Sequence, residues 1–134
     1  MRPYVIVLAL VNVAAPAAAE KFDLICTTEV RYRSSAEWRP SDPIRYRIDL
    51  EANLWCRGDC SKTQTLATVN DRVIFLRSHL RSSELDGFER ERIYRKTGEL
   101  SIVHIGAGPI GTFQEFRGQC ERAQFSGFPD AQRD

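Results

Sequence analysis

The sequence predicts an all-β protein. Apolar residues recur with a period of two rather than 3.6, and turn residues separate the runs at short intervals. Ile44, Tyr46, Ile48 and Leu50 alternate with Arg45, Arg47 and Asp49, the pattern of a strand with one buried face.

Taken in order, Phe22, Leu24 and Cys26 alternate with Asp23, Ile25 and Thr27 and open a strand over 22–32. Ser34 to Trp38 is the one candidate for a helical turn, and Arg39-Pro-Ser-Asp-Pro43 carries turn chemistry. A second strand follows over 44–50. Glu51-Ala-Asn53 turns the chain into a third over 54–57, and a fourth is expected over 64–69. Asn70-Asp71 leads into 72–78, whose Val73-Ile74-Phe75-Leu76 is a short buried run. Asp86-Gly87 precedes 87–96, Thr97-Gly98 precedes 99–105, and a glycine loop at 106–111 precedes 112–120. Eight short strands joined by turns favour antiparallel up-and-down pairing. Such strands can close into a single small barrel that removes its own edges, lipocalin-like or like the smaller inhibitor barrels; a two-sheet sandwich is the alternative.

The 134 residues allow one domain. Residues 1–19 read as a secretory signal peptide: Arg2 supplies the positive start, Tyr4 to Val13 an apolar run, and Ala17-Ala18-Ala19 a small-residue cleavage site. The run falls short of the roughly 20 apolar residues that span a bilayer, so no transmembrane segment is expected after cleavage. A β domain is expected over 20–128 and a flexible tail over 129–134. Arg2 is the only charge in the leader. Its removal leaves 18 basic against 18 acidic residues, a balance that gives no electrostatic reason to expect nucleic acid as a partner. About 37% of the remaining residues are apolar, lean for a folded domain.

The four cysteines, Cys26, Cys56, Cys60 and Cys120, follow a leader, and their even count points to two disulfides in an oxidising compartment, periplasmic or extracellular. Of three connectivities, Cys26–Cys120 with Cys56–Cys60 is expected, the first tying the first strand to the last. That long bridge would contribute about 4 kcal/mol. Neither metal nor cofactor is expected. Gly106-Ala-Gly-Pro-Ile-Gly111 matches a dinucleotide fingerprint but lacks the helix that would receive a pyrophosphate.

Two groups of residues stand as candidate sites. Arg57, Gly58 and Asp59 form an Arg-Gly-Asp tripeptide between Cys56 and Cys60; it resembles the constrained loops by which some secreted proteins bind integrins. Arg90 and Arg92 share a strand face with Phe88 and Tyr94, and would form an anion site if that face lined the barrel interior. His79 and His104 are the only histidines, and no nucleophile elbow accompanies them.

Phe22-Asp-Leu-Ile-Cys26, Tyr46-Arg-Ile-Asp-Leu50, Leu54-Trp-Cys56 with Asp59-Cys60, Arg95-Lys-Thr-Gly98 and Gly118-Gln-Cys120 with Phe125-Ser-Gly-Phe128 resemble blocks of small exported proteins of alphaproteobacterial type without assigned function. That resemblance implies export and a stapled β fold and brings no catalytic residues. A looser likeness is to periplasmic β-barrel inhibitors of lysozyme, of whose Ser-Gly-x-x-Tyr element only Ser126-Gly127 stands here. The expected function is therefore non-enzymatic: a monomeric exported barrel that binds a small ligand or an envelope protein. A secreted inhibitor or an Arg-Gly-Asp adhesin is the alternative, and an unrecognised hydrolase a further one.

Overall fold

The computed structural model describes residues 20–32, 35–80, 88–106 and 113–129. The leader, residues 107–111 of the glycine loop and residues 130–134 of the tail lie outside them. The described residues form nine strands: β1 (Lys21–Tyr32), β2 (Arg39–Asp49), β3 (Leu54–Arg57), β4 (Gln64–Thr65), β5 (Thr68–Val69), β6 (Val73–Leu80), β7 (Phe88–Tyr94), β8 (Glu99–Ile105) and β9 (Phe113–Ala123). All pair antiparallel in one sheet, in the order β4-β3-β2-β1-β9-β8-β7-β6-β5.

The connectivity forces this sheet to curl. Nine strands at ~4.8 Å spacing would hold the two edges roughly 38 Å apart if flat. The edges are β4 and β5, and Thr65 and Thr68 are separated by a stretch of chain that reaches at most ~11 Å. The sheet therefore wraps into a half-barrel, and residues 64–69 cross its open seam. At the crossing the Leu66 amide donates to the Asn53 carbonyl beyond β2, and the Ala67 amide donates to the Phe75 carbonyl in β6. The expected all-β antiparallel fold is present as a single curled layer, not a sandwich. The strand expected over 64–69 is corrected to two short strands on opposite edges, which raises eight to nine.

Two other expectations are revised. β2 begins at Arg39 rather than at 44 and runs through Pro40 and Pro43. It pairs with β1 there, while β3 pairs only with its Tyr46–Asp49 end, so the prolines occupy an edge where a missing N–H costs no ladder bond. No helical turn forms at 35–38. Trp38 instead lies over the guanidinium groups of Arg31 and Arg117, 4.8 and 4.1 Å from its ring centroid.

The concave face holds the core. Phe22, Leu24 and Cys26 of β1 meet Ile48 and Tyr46 of β2, Trp55 of β3, Ile74 and Leu76 of β6, Ile93 of β7 and Leu100 and Ile102 of β8. Cys26 stands directly opposite Cys120 in the β1–β9 register and is bonded to it; Cys56 is bonded to Cys60. The expected pairing is the one formed. Gly118 sits against β1 at Thr27–Thr28, opposite the point where β2 bulges, and an added Cβ there would come within 2.7 Å of the Thr27 carbonyl oxygen. Only glycine lets β9 close on β1 at that point.

Candidate functional site

The interior carries a row of charged side chains set by strand alternation. In β7, Ile93 belongs to the core, so Glu91 and Glu89 face inward on the same side of the strand. β6 has a bulge between Phe75 and Arg77 that brings Arg77 directly opposite Glu91. From the other side of the barrel, β2 contributes Tyr46 and β3 contributes Trp55 and Arg57, with Arg57 paired across from Tyr46. Four charges of alternating sign result: Arg57, Glu91, Arg77, Glu89.

Glu91 is the centre and has no solvent exposure. Its Oε1 accepts from the Tyr46 hydroxyl and from Arg57 Nη1 at 3.2 Å. Arg77 Nη1 donates to Glu89 Oε1 at 2.9 Å, and the Arg77 guanidinium lies 5.2 Å from the Trp55 ring centroid. Burial first, and then the adjoining Glu91 charge, push the Tyr46 hydroxyl well above the ordinary tyrosine range. For Arg57, burial opposes the charge, but Glu91 outweighs burial and holds the guanidinium more firmly protonated than usual.

The row is incompletely satisfied. Glu91 Oε2, Arg77 Nε and Trp55 Nε1 are buried and have no hydrogen-bond partner in the protein. Arg77 Nε approaches Glu91 Oε2 only to 3.8 Å, too far for a hydrogen bond. Buried polar groups are nearly always paired, so three orphans in neighbouring side chains mark a place suited to a polar occupant.

Next to two members of the row is a cavity of about 420 Å³ at one end of the half-barrel. Arg57 and Glu89 are common to the row and to the cavity lining. Ile44, Ile102 and Phe116 supply apolar wall, and His104 and Gln114 stand nearby. The size falls within the range of small-molecule sites, and the mixture of apolar wall and few polar groups is the usual one. The opposite end holds a smaller cavity of about 260 Å³, lined by Phe22, Leu24, Ile74, Ile93, Arg95 and Arg122 among others. Glu20 there takes ion pairs from Arg95 at 3.6 Å and Arg122 at 3.2 Å, and Arg122 lies over the Phe22 ring.

The sequence-expected residues are distributed differently from expectation. Arg90 and Arg92 do not line the interior. Because Glu91 and Ile93 point inward, the two arginines point outward, over the rings of Phe88 and Tyr94 at 5.8 and 5.1 Å. The inward arginines are Arg57 and Arg77. The tripeptide loop is also divided: Arg57 is turned to Glu91, whereas Asp59 is exposed and its Oδ1 accepts from the Ser61 amide at 3.0 Å. Gly58 has a positive φ of 67° and donates its amide to the Arg45 carbonyl. His104 is exposed at the cavity, and His79 stands opposite Glu89 in the strand register. Ser126-Gly127 lies over the outer face of β1 and β2. There Ser126 donates through its amide and hydroxyl to Asp23, and Arg47 donates to the Gly127 carbonyl.

Sequence reasoning missed Glu91, Tyr46, Arg77 and Glu89 as site residues. A usable signal was the Glu-x-Glu-x-Ile spacing of 89–93, which puts two carboxylates on one face with a core residue. Among the described residues there is no cluster of ligands suited to a metal ion, and no helix long and apolar enough to cross a membrane. The two disulfides are consistent with an oxidising extracellular environment. No family model, curated protein or solved structure matches the chain.

Proposed function

We propose that the protein is an exported, monomeric, non-enzymatic β half-barrel that binds a small polar molecule in the cavity before Glu91. The observation that carries this reading is the set of buried unpartnered atoms, Glu91 Oε2, Arg77 Nε and Trp55 Nε1, in the row that Arg57 and Glu89 join to the cavity lining. One acceptor and two donors call for a ligand group that both donates and accepts, such as a hydroxyl or an amide. Ile44, Ile102 and Phe116 then suit an apolar portion beside that group. The leader-like residues 1–19 and the two disulfides support action outside the cytoplasm, in the periplasm or beyond.

The test is a screen of the mature chain by two-dimensional NMR against small hydroxy acids, amides and sugars. A binder is expected to move the Trp55 indole N–H and the Arg57 side-chain resonances, and a Phe116→Ala variant is expected to bind it more weakly. Shifts confined to residues remote from the cavity would overturn the reading, as would a screen that leaves Trp55 and Arg57 unmoved.

A further inference from the structure

The outer face of β7 and β8 carries a graded surface that the interior site does not use. Three cross-strand rows can be read from the register. At the rim that bounds the cavity, Phe88 stands opposite Ile105, which stands opposite Phe113. One row inward, Arg90 stands between Ser78 and Val103. In the next, Arg92 stands between Phe75 and Ser101. Over β6–β8 the face thus changes from apolar at the rim to basic behind it, and on β9 the two inner rows continue as Glu115 and Arg117, each ion-paired.

Neither arginine has a carboxylate partner among the described residues, although ion pairs are plentiful elsewhere on the sheet. Arg31 is paired with Glu115, Arg117 with Glu29 and Arg45 with Asp23. The positions directly across from Arg90 and Arg92 are Ser78, Val103, Phe75 and Ser101, none of them acidic. Stacking on Phe88 and Tyr94 holds the guanidiniums against the sheet, while Nε of each is buried without a hydrogen-bond partner. Ile105 is 41% exposed, one of the few large apolar side chains so open to solvent.

From this order of rows we infer that the outer face of β7–β8 docks on an anionic lipid surface, with the Phe88–Ile105–Phe113 row at the acyl boundary and Arg90 and Arg92 against lipid phosphates. Arginines next to an apolar edge suit that boundary because the stem rests on hydrocarbon while the guanidinium reaches the headgroup. An acidic protein would satisfy the two charges but gives no reason for a continuous apolar row at the rim.

Vesicle co-sedimentation of the mature protein tests this. At low salt, binding is expected to vesicles containing phosphatidylglycerol, and much less to vesicles of phosphatidylcholine alone. Each arginine near the surface accounts for about a fivefold change in partition, so the double variant Arg90→Gln/Arg92→Gln should bind roughly 30-fold more weakly. Ile105→Ser, at an exposed position, should weaken binding to both vesicle types while circular dichroism shows the fold intact. Added salt should release the protein from anionic vesicles. Three results would each overturn the inference: no partition onto phosphatidylglycerol vesicles, an unchanged partition in the double variant, or full displacement by inorganic phosphate at constant ionic strength. The last would indicate a discrete ion site rather than a surface.

Discussion

Asp23 and Glu91 are both carboxylates with no solvent exposure, and the protein treats them in opposite ways. Asp23 is satisfied on both oxygens. The Ser126 amide donates to Oδ1, and the Ser126 hydroxyl and the Arg45 guanidinium donate to Oδ2. Burial would raise its pKa, but the bonds from Ser126 and Arg45 prevail and hold the carboxyl below the usual range. Glu91 has two donors on Oε1 and none on Oε2. A complete set of partners at Asp23 fastens residues 124–129 across β1 and β2, which is a structural task. An incomplete set at Glu91, next to a cavity, leaves capacity for something else. Burial alone does not separate the two roles; the tally of donors on each oxygen does.

The comparison can be broken most directly at Glu91. Glu91→Ala leaves the buried Tyr46 hydroxyl without its acceptor, leaves Arg77 with Glu89 alone and opens a void, and a loss of about 3 kcal/mol is expected in urea unfolding. Glu91→Leu also removes the carboxylate but fills the space. Pairing Glu91→Leu with Arg77→Met should restore most of that stability, while ligand binding stays lost. Asp23→Ala is expected to cost less, about 1–3 kcal/mol, because Arg45 is half-exposed and returns to water. It should also expose the 124–129 segment to proteolysis.

The two sites should diverge in pH as well. Asp23 has a depressed pKa in the folded state, so its contribution is complete above the ordinary value of 3.8 and is lost as pH falls below it. Hydrogen exchange at the Ser126 amide should accelerate in that acid range, and Asp23→Asn should abolish the acid dependence. Tyr46 has the opposite sign. Its folded pKa is raised above 10.0, so the stability it confers is present below pH 10 and is lost as pH rises toward the folded value. Tyrosinate absorbance from Tyr46 should therefore appear last, with unfolding, and Tyr46→Phe should flatten the alkaline limb. The smallest effect belongs to the exposed loop. Asp59→Ala removes one bond to the Ser61 amide and should shift stability by about 0.5 kcal/mol. It should leave cavity binding unchanged.

Much of the fold was legible because local pattern and long-range demand agree. The alternation of 44–50 marks a half-buried strand, and the bounds 54–57 and 99–105 coincide with β3 and β8. The bridge from Cys26 to Cys120 follows from pairing the first strand with the last. What could not be read depends on distant partners. Nothing within 64–69 states that its two halves serve opposite edges of the sheet. Nothing near Pro40 and Pro43 states that the flanking side is unpaired. The inward face of β7 could not be read because both faces carry apolar side chains: Phe88 and Tyr94 on one, Ile93 on the other. The face was decided by the core around Ile93 and by the β6 bulge that delivers Arg77, features that lie outside the strand itself.

The short crossing at 64–69 is, in mechanical terms, a clasp. It holds the two free edges of the sheet within a few residues of each other, and with them the distance between Arg57 on one side and Glu91 on the other. The aperture of the barrel is then a property of chain length at Leu66-Ala67. A glycine pair inserted there would let the seam spread, pull the ion row apart and present two bare strand edges. Those edges could pair with the edges of a second molecule, so a concentration-dependent dimer is the expected phenotype of loosening the clasp.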